Sequence, residues 1–183
     1  MKLWILTFAL SAAAGAQDIN LVQFDVLKSR ASDTVEVNLN EPMLGMARVA
    51  AGFMNDNDPK QADMKKLIGG LKGVYVRSFK FDKEGQYSTT EIEALRAQLK
   101  GAGWQSMVDV HSSKISGDNS GIYVRSDGKQ MTGLVVLASE PKQLTVVNIS
   151  GAIDPAQLQA LSGTLGIPNL NFGFDGKGPV KKS

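Results

Sequence analysis

Four runs rich in β-branched and aromatic residues follow one another over 104–112, 121–126, 131–139 and 143–150, separated only by short polar stretches. Asp127-Gly128 and Pro141-Lys142 have hairpin-turn chemistry, and strands joined by tight turns pair antiparallel. This meander constrains the fold more than any other feature. Its third run, Gly133-Leu134-Val135-Val136-Leu137-Ala138, is apolar on both faces, which places that strand centrally with helices over at least one side.

Upstream, the periodicity changes. Residues 19–31 suit a short helix, and 33–40 alternate with Val35, Val37 and Leu39 on one face, the period of a half-buried strand. Pro42 opens a helix whose spacing turns Met43, Met46, Ala47, Ala50, Phe53 and Met54 inward. Asp58-Pro59 caps a second helix carrying Met64, Leu67, Ile68 and Leu71, ended by Gly69-Gly70 and Gly73. A strand over 74–82 follows, then a helix with Ile92, Leu95 and Leu99 inward behind a Thr90/Glu93 capping box. Asp154-Pro155 starts a last helix with Leu158, Leu161 and Leu165, and Leu170, Phe172 and Phe174 alternate like an edge strand. The order predicts an α+β fold: a single, mostly antiparallel sheet of about six strands, with helices packed on one face. After an N-terminal helix the elements run β-α-α-β-α-β-β-β-β-α.

Several of these segments carry a resemblance. The strand Val35-x-Val37-x-Leu39, Val74-Tyr75-Val76-Arg77, Gly103-Trp104, Ile122-Tyr123-Val124, Leu134-Val135-Val136-Leu137 and Leu144-Thr145-Val146-Val147-Asn148-Ile149-x-Gly151-x-Ile153 together resemble domain of unknown function family 4252, exported bacterial proteins. The resemblance covers nearly all of the chain after its leader. It implies a family without assigned catalytic residues that includes exported and lipid-anchored members.

The N-terminus reads as an export signal. Lys2 is the positive end, 3–14 is an apolar run, and Ala14-Gly15-Ala16 fits a small-x-small cleavage site, predicting cleavage before Gln17. The run is short of the roughly 20 residues a membrane-spanning helix needs. With no cysteine in the chain, lipid attachment there is excluded, so the expectation is a periplasmic or extracellular protein without a stable membrane anchor. Residues 1–16 are assigned to the signal, 17–170 to one α+β domain and 171–183 to a flexible tail. Removing 16 of 183 residues leaves 167, enough to bury roughly 70% of the unfolded chain's surface.

Absence of cysteine also removes disulfides, thiolate nucleophiles, Cys-ligated zinc and iron–sulfur clusters. Twenty basic against 18 acidic residues, interspersed, carry no nucleic-acid footprint. His111, the one histidine, shares a strand face with Asp109, and Ser112 and Ser113 adjoin it, so a hydrolase is a possible third reading. No Gly-x-Ser-x-Gly elbow accompanies them, and a surface His and Asp near a strand end is the plainer account. Asn55-Asp56-Asn57-Asp58 lacks the glycine and glutamate of a calcium loop and reads as a turn plus helix cap. Met43, Met46, Met54 and Met64 read as core filling, since no His or Cys joins them. Gly176-Lys177-Gly178 lacks the phosphate-loop frame, and Asn148-Ile149-Ser150 matches a glycosylation acceptor by pattern alone.

One motif stands apart. Gly73-Val-Tyr75-Val-Arg77-Ser78 nearly repeats as Gly121-Ile-Tyr123-Val-Arg125-Ser126. Alternation puts Tyr75 with Arg77, and Tyr123 with Arg125, on common sides of their strands. On neighbouring strands they would form a stacked cation–π surface suited to gripping a partner. The first functional expectation is a non-enzymatic exported binding or regulatory domain that contacts another envelope protein through Tyr75, Arg77, Tyr123 and Arg125, with no cofactor, metal or catalytic residue. The second is a carrier of a small apolar ligand between sheet and helices.

Overall fold

The computed structural model describes residues 19–101, 103–112 and 119–154. The leader, the 155–165 helix, the 170–174 strand and the tail expected from sequence lie outside them. A 3-10 helix, Val22–Leu27, precedes β1 (Asp33–Leu39), α1 (Glu41–Ala51), α2 (Pro59–Gly70), β2 (Leu71–Lys80) and α3 (Thr89–Leu99). The meander follows as β3 (Trp104–Asp109), β4 (Gly121–Ser126), β5 (Met131–Glu140) and β6 (Gln143–Ile153). All six strands form one open antiparallel sheet in the order β1-β2-β6-β5-β4-β3. The fold is α+β.

The helices pack on both faces rather than one. Phe24, Leu27, Ile92, Leu95 and Leu99 close over Phe79, Val135, Leu137, Leu144 and Val146 on the first face. On the second, Leu44 of α1 and Leu67 of α2 close over Val74, Val76, Leu134, Val136, Val147 and Ile149. Successive strand residues alternate between faces, so strands β2, β5 and β6, apolar at odd and even positions alike, require two covers.

Three local expectations also change. Helix α1 buries Leu44 and Ala51 and leaves Met43 and Met46 exposed, and Phe53, just past its end, is 88% exposed. Leu44, Ala47 and Ala51 are spaced i, i+3, i+7, an alternative stripe that lets Arg48 reach the carbonyl of Leu71. The capping box begins two residues earlier: Ser88 and Glu91 form it, and Glu93 is left to bind Arg96 Nη1 at 2.9 Å. Leu71 belongs to β2 instead of α2, since Gly69-Gly70 ends the helix directly before it.

Candidate functional site

The repeated Gly-x-Tyr-Val-Arg-Ser segment has a local physical cause. Residues i and i+2 of a strand share a face, and each tyrosine ring lies back over the glycine before it. A Cβ on Gly73 would come within 2.8 Å of Tyr75 Cε2, and one on Gly121 within 2.7 Å of Tyr123 Cε2. Strands β2 and β4, however, are separated by β6 and β5, so the two copies lie three strand spacings apart, about 14 Å. The four side chains face the same way but join three different environments.

Tyr123 belongs to a network around the edge of the sheet. Arg96, 3% exposed, donates from Nε to Tyr123 Oη at 3.3 Å and from Nη2 to the Val110 carbonyl at 2.8 Å. Tyr123 donates to Asp109 Oδ1 at 3.0 Å, and Arg96 Nη2 lies 3.1 Å from the same oxygen. His111 Nε2 lies 3.0 Å from Asp109 Oδ2. Burial pushes the Asp109 carboxyl upward; hydrogen bonds from His111 and Tyr123 and the Arg96 charge outweigh it and hold the group below the usual carboxylate range. Burial likewise raises Tyr123, and its bond to Asp109 adds to this. The Asp109–His111 contact expected from the sequence therefore forms, but Asp109 is shared with Arg96 and Tyr123 and the imidazole is 57% exposed. Ser113 lies outside the described residues.

Arg77 is buried in a second network. Its Nη1 donates to Asn38 Oδ1 at 2.9 Å, and its Nε lies 3.5 Å from Glu36 Oε1 and 3.7 Å from Asp25 Oδ1. Glu36 and Asn38 reach it because β1 pairs with β2 in the register Glu36↔Arg77 and Asn38↔Tyr75, and Asp25 comes from the 3-10 helix.

Tyr75 and Arg125 meet across a trough. At one end of the first face, Gly73 of β2, Ser150 of β6 and Gly133 of β5 lie opposite one another in a single row, with Arg125 of β4 next and Trp104 of β3 beyond it. Within the row the Tyr75 ring covers Gly73 and the Trp104 ring covers Gly133, which leaves Ser150 as its small residue on the cavity lining. The resulting cavity of about 660 Å³ is lined by Tyr75, Arg125, Lys72, Thr132, Ser150 and the Gly69-Gly70 turn, among others, with Asp127 also on its lining. Register breaks at Leu71/Gly73 and Met131/Gly133 put Lys72 and Thr132 at irregular positions beside it. The guanidinium of Arg125 stacks on the Trp104 indole, 4.9 Å from the ring centroid. Its Nη1 is buried without a hydrogen-bond partner among the described residues.

Sequence reasoning missed Trp104 as the stacking partner. Gly133 was the available signal: a glycine inside an apolar strand marks a close approach, and a Cβ there would fall 2.8 Å from Trp104 Cη2. The other candidates take structural roles. Asp58 caps α2, and its carboxyl is held low chiefly by the Lys60 N–H, then by Gln61. Asp56 pairs with Lys65 at 2.8 Å. Among the described residues no cluster of three metal-ligating side chains occurs, and no helix is long and apolar enough to cross a membrane.

Compared with curated proteins and with solved structures, the chain has no significant match. Residues 28–161, most of the chain, match the family model described as Domain of unknown function (DUF4252), and the protein belongs to that family.

Proposed function

We propose that this protein is an exported, non-enzymatic binding or regulatory domain of the bacterial cell envelope, recognising another envelope protein through the open trough on its first sheet face. One observation carries the reading. Arg30, Arg48, Arg77 and Arg96 each pair with a carboxylate of the chain, whereas Arg125 lines a cavity and pairs with none among the described residues. The leader-like N-terminus supports export, and the packed clusters between sheet and helices favour recognition at a surface over carriage of an apolar ligand inside. The hydrolase reading has less support, since Asp109 is engaged three ways and His111 is largely exposed.

The test uses full-chain protein expressed in a bacterial host. N-terminal sequencing of the product in the periplasmic fraction should begin at Gln17. A partner captured from envelope extract, then purified, should bind wild-type protein and lose that binding with Arg125→Glu or Tyr75→Ala. Retention of the leader in the cytoplasm, or equal binding by all three proteins, refutes the reading.

A further inference from the structure

We infer that the trough is a carboxylate receptor, in which the Trp104-stacked guanidinium of Arg125 takes the carboxylate and the Tyr75 ring takes the carbon body behind it. This rests on reading the trough as a recognition site and names the group recognised. Arg125 lines the cavity and is, among the described residues, the one arginine that no carboxylate neutralises, so its charge is left to an acceptor that arrives from outside. Guanidinium presents paired donors in one plane, the geometry of a carboxylate, and stacking on an indole fixes that plane before binding. The backbone is fixed as well, because Thr132 Oγ1 donates to the Arg125 carbonyl at 3.3 Å.

Charge selects the class of anion. The charged side chains of the lining are Lys72, Arg125 and Asp127, one net positive charge, which suits a monoanion better than a phosphate dianion. Asp127 does not occupy Arg125: no ion pair joins them, and its Oδ1 accepts the amides of Lys129 and Gln130 at 2.9 and 3.0 Å. The cavity volume of about 660 Å³ falls within the range of about 300–1,000 Å³ typical of small-ligand sites, leaving space beyond the carboxylate for a ring or a short peptide.

The carboxylate can be carried by a free organic acid or by a peptide end, and the experiment separates them. Full-chain protein labelled with nitrogen-15 is titrated with benzoate and with benzamide. It is then titrated with acetyl-glycyl-phenylalanine as the free acid and as the amide, following the Trp104 indole resonance. At least one acid should bind about tenfold more tightly than its amide, equivalent to about 1.4 kcal/mol. Arg125→Gln should erase that preference, and Lys72→Gln, at an exposed position, should reduce it. If Arg125→Gln does not fold, the wild-type ratio and its fall in Lys72→Gln decide. Preference for the peptide acid supports delivery by a protein partner. Preference for benzoate alone upholds the carboxylate receptor while overturning the protein-partner reading above. Equal response to acid and amide, or no response to either acid, overturns the inference.

Discussion

Tyr123 lies flat over Gly121, its ring edge where a Cβ at position 121 would have to be, and its hydroxyl is tied to both Arg96 and Asp109. The ring therefore cannot swing aside without breaking buried hydrogen bonds. Gly121→Ala should destabilise the protein by about 1–3 kcal/mol, the usual penalty for overpacking. Gly45→Ala, at a helical site with nothing within 4 Å, should instead stabilise by about 0.5–1 kcal/mol. Calorimetry reads both: at this chain length each kcal/mol moves Tm by about 2–4 °C.

Arg96 holds the edge network together, bonding Tyr123, Glu93, Asp109 and the Val110 carbonyl. Arg96→Met leaves Asp109 without its strongest counter-charge and should remove about 3 kcal/mol. Tyr123→Phe should remove about 1–2 kcal/mol. In a double-mutant cycle by urea denaturation the two should couple by more than about 0.5 kcal/mol; simple additivity would show that the network does not act as a unit.

The pH dependence has a definite sign at Asp109. Its carboxyl is more acidic folded than unfolded, so its contribution is complete above the unfolded value near 3.8 and disappears as pH falls through the lower folded value. Asp109→Asn should lower stability at pH 7 and flatten the decline below about pH 4. Urea midpoints for the two proteins at pH 7 and pH 3 should converge toward the acid end; a constant gap would remove Asp109 from the acid response.

The start of α3 distinguishes two overlapping sequence patterns. Ser88→Ala should destabilise by about 1 kcal/mol, because Ser88 shares its hydroxyl and backbone N–H with Glu91. Thr90→Ala, already inside the helix, should change stability by less than about 0.5 kcal/mol. The reverse ranking in thermal melts would return the cap to Thr90.

The sequence made the strands legible because hairpin chemistry and two-sided apolar runs act locally. The antiparallel meander and the central place of β5 follow from residues 121–150 alone. Strand order was less accessible: that β6 runs between β5 and β2 depends on contacts across more than 60 residues, with Val76 facing Val147. The orientation of α1 failed for a different reason. Met43/Met46/Phe53 and Leu44/Ala47/Ala51 are both helical stripes, and only the neighbour decides which turns inward. At the candidate site, alternation gave the common side of Tyr75 with Arg77 and of Tyr123 with Arg125, while the shared face of the two pairs follows from the register across β6 and β5. Their separation into two buried networks and one trough required the strand order.

The position of β6 has a consequence for how the molecule is assembled. Among the described residues, β1 and β2 form one ladder, β3, β4 and β5 form another, and β6 is the sole hydrogen-bonded joint between them. A nascent chain that stops before Gln143 holds two separate ladders, each with an edge still waiting for its neighbour. Maturation is thus a closing event, in which β6 slides into a central slot and turns two halves into one body, and its rate is set by the long loops that must close first.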